Sequence, residues 1–276
     1  MAILRKRLQG RKTIVVCTTI LFFFFLICVL APWISPHDPI QVNLAIKLKG
    51  PSWDYPLGTD HLGRCNLSRL LHGARVSLGV ASLIFISSLG IGLLVGTVSG
   101  YRGGWLDGML MRFCEGVMAF PSLVLVLGLV GILGPGLFQL VIALMMVQWV
   151  YYARMFRNLV VSLKERKFIA AARISGSSQW QIIRRHIVPN ILPPILVVGT
   201  LEMGWAIMDI SAMSFLGLGI QPPTPEWGAM VNEGKSFIRN HPELMLYPGL
   251  LIVVVVATCN VLGEALSERF GVKKGL

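Results

Sequence analysis

The sequence predicts an all-α, polytopic membrane protein with six transmembrane helices, and three observations carry that prediction. Of 276 residues 54% are hydrophobic and 14% charged, with a mean hydropathy of +0.70, whereas a soluble domain carries about 25% charged residues. Apolar blocks fall at about 14–31, 78–99, 115–134, 137–155, 190–217 and 245–265, most of them close to the roughly 20 residues that cross a hydrocarbon core. With the N-terminus inside, the inner segments hold 18 Lys and Arg and the outer segments 7, which puts both termini in the cytoplasm. The net charge of +12 is then a matter of topology, and a nucleic-acid partner is not indicated.

Residues 1–31 comprise a basic flank, Arg5, Lys6, Arg7, Arg11 and Lys12, and the first span from Thr13 to Ala31. The run is long, and bulky Trp33 follows it in APWISPHDP, so it reads as a retained helix and not as a cleaved signal peptide. The outer segment 32–77 is broken by Pro32, Pro36, Pro39, Pro51 and Pro56, with Trp33, Trp53 and Tyr55 suited to the membrane interface. Asp60, His61 and Gly63 predict a capped turn, with Arg64 able to pair with an acid. Leu67, Leu70, Leu71, Ala74 and Leu78 keep helical spacing while Arg69, His72 and Arg75 do not, which predicts an amphipathic helix lying on the outer surface. Asp60, His61, Cys65 and His72 do not match a tetrahedral zinc pattern. The five cysteines, none in CxxC and most in apolar runs, indicate neither a disulfide framework nor a metal cluster.

The core, residues 78–270, begins with a span carrying Gly79, Gly90, Gly92 and Gly96, a spacing suited to close helix packing. In the inner loop, Asp107, Arg112 and Glu115 are spaced to pair along a helix, and Pro121 predicts a kink in the third span. Leu133–Gly136 is a tight turn. Residues 165–189, within KERKFIAAARISGSSQWQIIRRHIVP, are too polar for lipid: helix over Ala170–Ile174, a break at Gly176, and a second helix over Gln179–Ile187 ended by Pro189. Such a knob is either a docking element for another protein or an ordinary connecting loop.

In the fifth span Glu202 and Asp209 are seven apart, on one helical face, and with Met213 they either line a cavity or hydrogen-bond between helices. Glu264, near the inner end of the sixth span, is placed to meet water or Arg269. The frequent methionines of the fourth and fifth spans read as adaptable packing. In the last outer loop Pro222, Pro223 and Pro225 stiffen the chain, Trp227 is expected at the interface, and Val231–Arg239 as a short surface or re-entrant helix. Residues 271–276 form the cytoplasmic tail. GxxxxGK[ST] and HExxH are both absent from the sequence, so energy for any transport has to arrive from another protein through the knob. A channel or secondary transporter working without an ATPase is the competing class, and a membrane scaffold a third.

Three stretches carry a family resemblance: GTDHLGR with SRLLHGARVSL between Leu57 and Leu78, the Ala170–Pro189 loop, and SFLGLGIQPPTPEWG from Ser214 to Gly228. Over about residues 30–270 the chain resembles the inner-membrane permeases of binding-protein-dependent ABC importers for dipeptides, oligopeptides and nickel. It is similar to the second of their two different permeases, with the look of the nickel type in MDISAMSFLGLG. The resemblance implies the type I ABC importer permease fold, an inner-membrane location and a path shared with a second, different permease subunit. It further implies two ATP-binding subunits, which hold the ATP and magnesium, and an extracytoplasmic substrate-binding protein. No cofactor is expected on this chain. The family's coupling loop runs Glu-Ala-Ala, then Gly four positions on, and ends near Leu-Pro. Ala170, Ala171, Ala172, Gly176, Val188 and Pro189 match it, with Arg173 between. The acid is absent, leaving Glu165 or Arg173 to stand in, and Cys65 replaces the Asp of many relatives. Gly58, Thr59, Asp60, Gly63, Arg64 and Arg69 fall in the family's extracytoplasmic motif.

Overall fold

The computed structural model describes residues 2–271, with side chains from residue 10 onward. The tail beyond Gly271 and the basic side chains of Arg5, Lys6 and Arg7 lie outside the described residues. Among the described residues all regular structure is helical, apart from one isolated bridge between Thr59 and Cys65.

Helix α1 (Ala2–Ile34) packs on α2 (Asn66–Arg102) and α10 (Glu243–Phe270). The amphipathic surface helix expected before the second span does not exist as a separate element. Its residues are the first turns of α2, and Arg69, Leu70, Gly73, Ala74 and Ser77 are buried. Nothing between Leu67 and Val80 stops a helix once it has nucleated, so it runs on into the span. The arginine that looked like a solvent-facing residue is instead buried against acids.

Helix α2 makes its most extensive contact with α5 (Leu137–Lys164). Gly92, Gly96 and Gly100 lie on that seam, and a β-carbon on any of them would run into Tyr152, Ala153, Phe156, Arg157 or Val160. Small residues thus let two backbones approach in lipid, where helices gain little from apolar burial. Of the other glycines expected to serve packing, Gly79 and Gly90 face open space.

The third apolar block is two helices, α3 (Gly104–Met118) and α4 (Ser122–Leu133), meeting at 86°. Pro121 breaks this span where a kink was expected: it stands outside α4 with extended backbone (ψ 126°), and it lacks the N–H that would continue α3. Asp107 pairs not along its own helix but with Arg157 of α5 at 2.5 Å, where Ser99 also donates to it. The tight turn forms at Gly134 and Gly136, both with positive φ.

The knob consists of α6 (Lys167–Ile174) and α7 (Gln179–Ile182). The second helix does not end at Pro189. It passes through a wider π turn at Ile183–Ile187 and continues as α8 (Val188–Phe215). Val188 donates to the Ile183 carbonyl five residues back, and Pro189 occupies the first turn of α8, where a missing N–H costs least. Helix α9 (Trp227–Gly234) and a 3₁₀ turn at Lys235–Phe237 precede α10. Among the described residues five helices are long and apolar enough to cross a membrane, and the bent α3–α4 pair makes a sixth when taken as one span.

Among the described residues two large cores fill the bundle, with a small third cluster of Cys114, Val150 and Ala153 between α3 and α5. The larger joins Phe24, Ile84, Leu140, Ile210, Trp227 and Val255 from six helices. The smaller of the two lies under the knob and includes Phe156, Val160, Ile169, Ile182, Ile187 and Ile191.

Candidate functional site

Among the described residues the predicted site residues gather at three places: the knob, a cavity between the spans, and a charge cluster at the end of α2 far from the knob.

At the knob, Gly176 adopts φ +79° and closes α6, its N–H donating to Arg173 and that of Ser177 to Ala172. Two residues later Ser178 starts α7 with a capping box. Its hydroxyl accepts from Gln181, whose side chain accepts from the Ser178 N–H. Back-to-back stop and start signals fix the angle between the helices. Ile169 and Ile182, both buried, pin them to the end of α5. Ala170, Ala171, Arg173, Val188 and Pro189 are exposed and Ala172 is half-buried. Ile174 and Trp180, 88% and 69% exposed, had not been singled out. Two bare apolar side chains among Arg173, Arg184 and Arg185 were the available signal.

The cavity, of about 490 Å³, lies between α3, α4, α5 and α8, with Glu202, Asp209 and Met213 together in its wall. Gln148 Nε2 donates to Asp209 Oδ2 at 3.0 Å, and Tyr152 OH donates to Glu202 Oε2 at 3.3 Å. Neither α5 residue was anticipated, because a Gln and a Tyr in an apolar run give no sign of the acids on another helix. The Gln148 carbonyl oxygen is buried and accepts no bond. The lining includes no Lys or Arg, so the cavity presents oxygen acceptors toward its interior and attracts a cationic or donor-rich group.

At the far end, the 57–66 loop folds onto 43–51. Gly58 and Gly63, with φ +69° and +75°, lie where a side chain would strike the backbones of Lys49 and Asn43. The Thr59 hydroxyl donates to the Ile46 carbonyl and accepts from the Lys49 N–H. Arg64 bridges Asp60 and Glu233, each at 2.7 Å, and Arg69 also contacts both acids. The expected acid partner of Arg64 is therefore two acids, one of them from α9. Burial pushes the Asp60 carboxyl up, but Arg69, Arg64 and the N–H groups of Arg64 and Leu62 outweigh it and hold the group below its ordinary range. His61 lies close to the same two acids. Both carboxylates are already matched by guanidinium groups, which leaves little net charge for a cation. Cys65 and His72 stand apart, Cys65 at the start of α2 and His72 against the Ser68 carbonyl.

Trp227, expected at the membrane interface, is wholly buried under α2, and its Nε1 donates to the Leu70 carbonyl at 3.0 Å. Glu226 beside it is equally buried. It caps α9 by accepting from Gly228 and Ala229, and takes a bond from Ser77 of α2.

A bundle whose polar groups converge on a cavity between its spans, with a rigidly capped knob at one end, belongs to the class of membrane transport subunits. Residues 92–272 match the family described as binding-protein-dependent transport system inner membrane component, and residues 2–51 match the N-terminal TM domain of oligopeptide transport permease C. The chain belongs to the first of these families, the permeases of binding-protein-dependent ABC importers. The nickel transport system permease protein NikC of Escherichia coli K12 is 38% identical over 262 residues, 95% of each chain. The dipeptide transport system permease protein DppC of Alkalihalophilus pseudofirmus is 38% identical over 268 residues, 97% of this chain and 88% of that one. A chain of the inward-facing MetNI methionine ABC transporter superposes with a TM-score of 0.60 at 19% identity, covering 74% of this chain and 96% of that one. That likeness shows the fold, the type I ABC importer permease.

Proposed function

We propose that this permease forms half of the translocation path for nickel or a nickel chelate, in a heterodimer with a second, different permease subunit. Two ATP-binding subunits, carrying ATP and magnesium, dock on the 165–189 loop, and an extracytoplasmic binding protein delivers cargo to the opposite face. This chain binds no cofactor of its own and performs no hydrolysis. The 18-to-7 division of Lys and Arg supports both termini and the knob in the cytoplasm of an inner-membrane protein.

The observation that carries the cargo reading is the cavity itself: Glu202 and Asp209 line a space with no basic side chain. Such a wall lowers the cost of bringing a cation to membrane depth and raises it for an anion. The Glu202→Gln, Asp209→Asn double variant should lose nickel uptake by about ten-fold or more, the effect of removing charge-assisted contacts. The measurement is radioactive nickel uptake in a strain deleted for this gene, with membrane abundance of the chain as control. Unchanged uptake would remove the carboxylates from the path. A dipeptide is the second reading, favoured by equal 38% identity to the dipeptide permease, since its terminal ammonium suits the same acceptors. Growth on dipeptides as sole amino-acid source, run beside the nickel assay, separates the two.

A further inference from the structure

A second cleft, of about 560 Å³, opens between α1, α2, α8 and α10. Its α8 wall is Met203 and Ile207, about a third of a turn round the helix from Glu202 and Asp209. The cleft therefore opens on a different side of the bundle from the cavity assigned above to the shared path, and on that reading it faces lipid and not the second permease.

Its polar and apolar parts are segregated. At the mouth stand Arg75 and Trp33. Arg75 is exposed and, among the described residues, makes no ion pair or hydrogen bond. It sits just ahead of the apolar run 78–99, and Trp33, 75% exposed, just beyond the run 14–31, so both lie at headgroup depth. Below them the lining is almost entirely apolar, reaching Leu21 on α1, about 18 Å along the helix from Trp33. That is the length of an acyl chain. A β-carbon on Gly79, on the α2 wall, would meet nothing, so the protein leaves this space unfilled.

We propose that the cleft binds an anionic phospholipid of the leaflet opposite the knob, its phosphate on the Arg75 guanidinium and one acyl chain lying in the groove between α1 and α2. A guanidinium without a counter-ion among the described residues, at headgroup depth above a chain-length apolar groove, complements a phosphodiester joined to a hydrocarbon tail.

The test uses the full-length chain in neutral detergent, titrated with phosphatidylglycerol and, separately, with diacylglycerol of the same chains, and read by native mass spectrometry. Phosphatidylglycerol should bind the wild type more tightly than diacylglycerol. Arg75→Gln should weaken phosphatidylglycerol about five-fold and leave diacylglycerol unchanged, whereas Gly79→Leu should weaken both. Equal binding of the two lipids to the wild type, or undiminished phosphatidylglycerol binding by Arg75→Gln, overturns the proposal. Cross-links from residue 79 to the second permease in membranes would also overturn it by showing another occupant. Should Gly79→Leu fail to fold, Arg75→Gln, a change on an exposed helix face, decides the case alone.

Discussion

Gly176 holds φ at +79° with nothing near the place a β-carbon would take, so the backbone alone demands glycine there. A side chain in that conformation costs roughly 1–2 kcal/mol, enough to open the stop signal of α6 without disturbing the spans. Gly176→Leu should insert at the normal level and abolish uptake; normal transport by that variant would break the link between knob geometry and transport. Asp60 gives a second prediction. Its carboxyl lies below the ordinary 3.8 in the folded chain, so its contribution to stability is present above that value and is lost as pH falls through the folded one. Thermal unfolding should therefore show an acid-side loss below about pH 3.8 that Asp60→Asn removes. At neutral pH, Asp60→Asn should itself cost about 3–5 kcal/mol by stranding buried guanidinium groups. These residue roles were partly legible. A glycine after an Ala-rich turn and an Asp–Gly–Arg cluster are local signals, whereas Glu233 lies 169 residues from Arg64, a pairing that only the fold creates.

Between elements, the seam of α2 and α5 depends on the absence of side chains at Gly92, Gly96 and Gly100. Gly96→Leu should force the helices apart, at a cost of about 1–3 kcal/mol, and lower the amount of folded protein recovered in detergent. Gly79→Leu, facing open space, serves as the matched control. Trp227→Ala should cost roughly 3–5 kcal/mol and free α9 from α2. The six apolar blocks gave the spans because hydrophobic run length is a one-dimensional property. The breaks were harder to place. Pro121 splits a helix and Pro189 does not, although both sit in apolar or helical surroundings, because Pro189 stands in a first turn that follows a π turn. Trp227 looked like an interface residue for the same reason that Arg69 looked solvent-facing: the sequence does not show that α9 tucks under α2.

For the whole molecule, the reading as an importer permease predicts that an ATP-binding subunit co-purifies with this chain. Altering the exposed Ile174 and Trp180 together to Ser should abolish that co-purification while the chain remains in the membrane. Retained association would place the docking surface elsewhere. The class of the molecule was legible in composition, block length and the distribution of Lys and Arg. The cavity was only half visible, since Glu202 and Asp209 declare themselves as charges in an apolar run, while Gln148 and Tyr152 matter through where α5 passes.

The backbone from Gln179 to Phe215 is one helical run of 37 residues. Trp180 at its tip and Glu202 in the cavity wall are thus about 33 Å apart on a single stalk. Tilting that stalk by two degrees at the tip displaces the carboxylate by ~1 Å, comparable with the slack in a hydrogen bond. Small angular play at the polar tip is thereby magnified into a change of grip on whatever occupies the space between the spans.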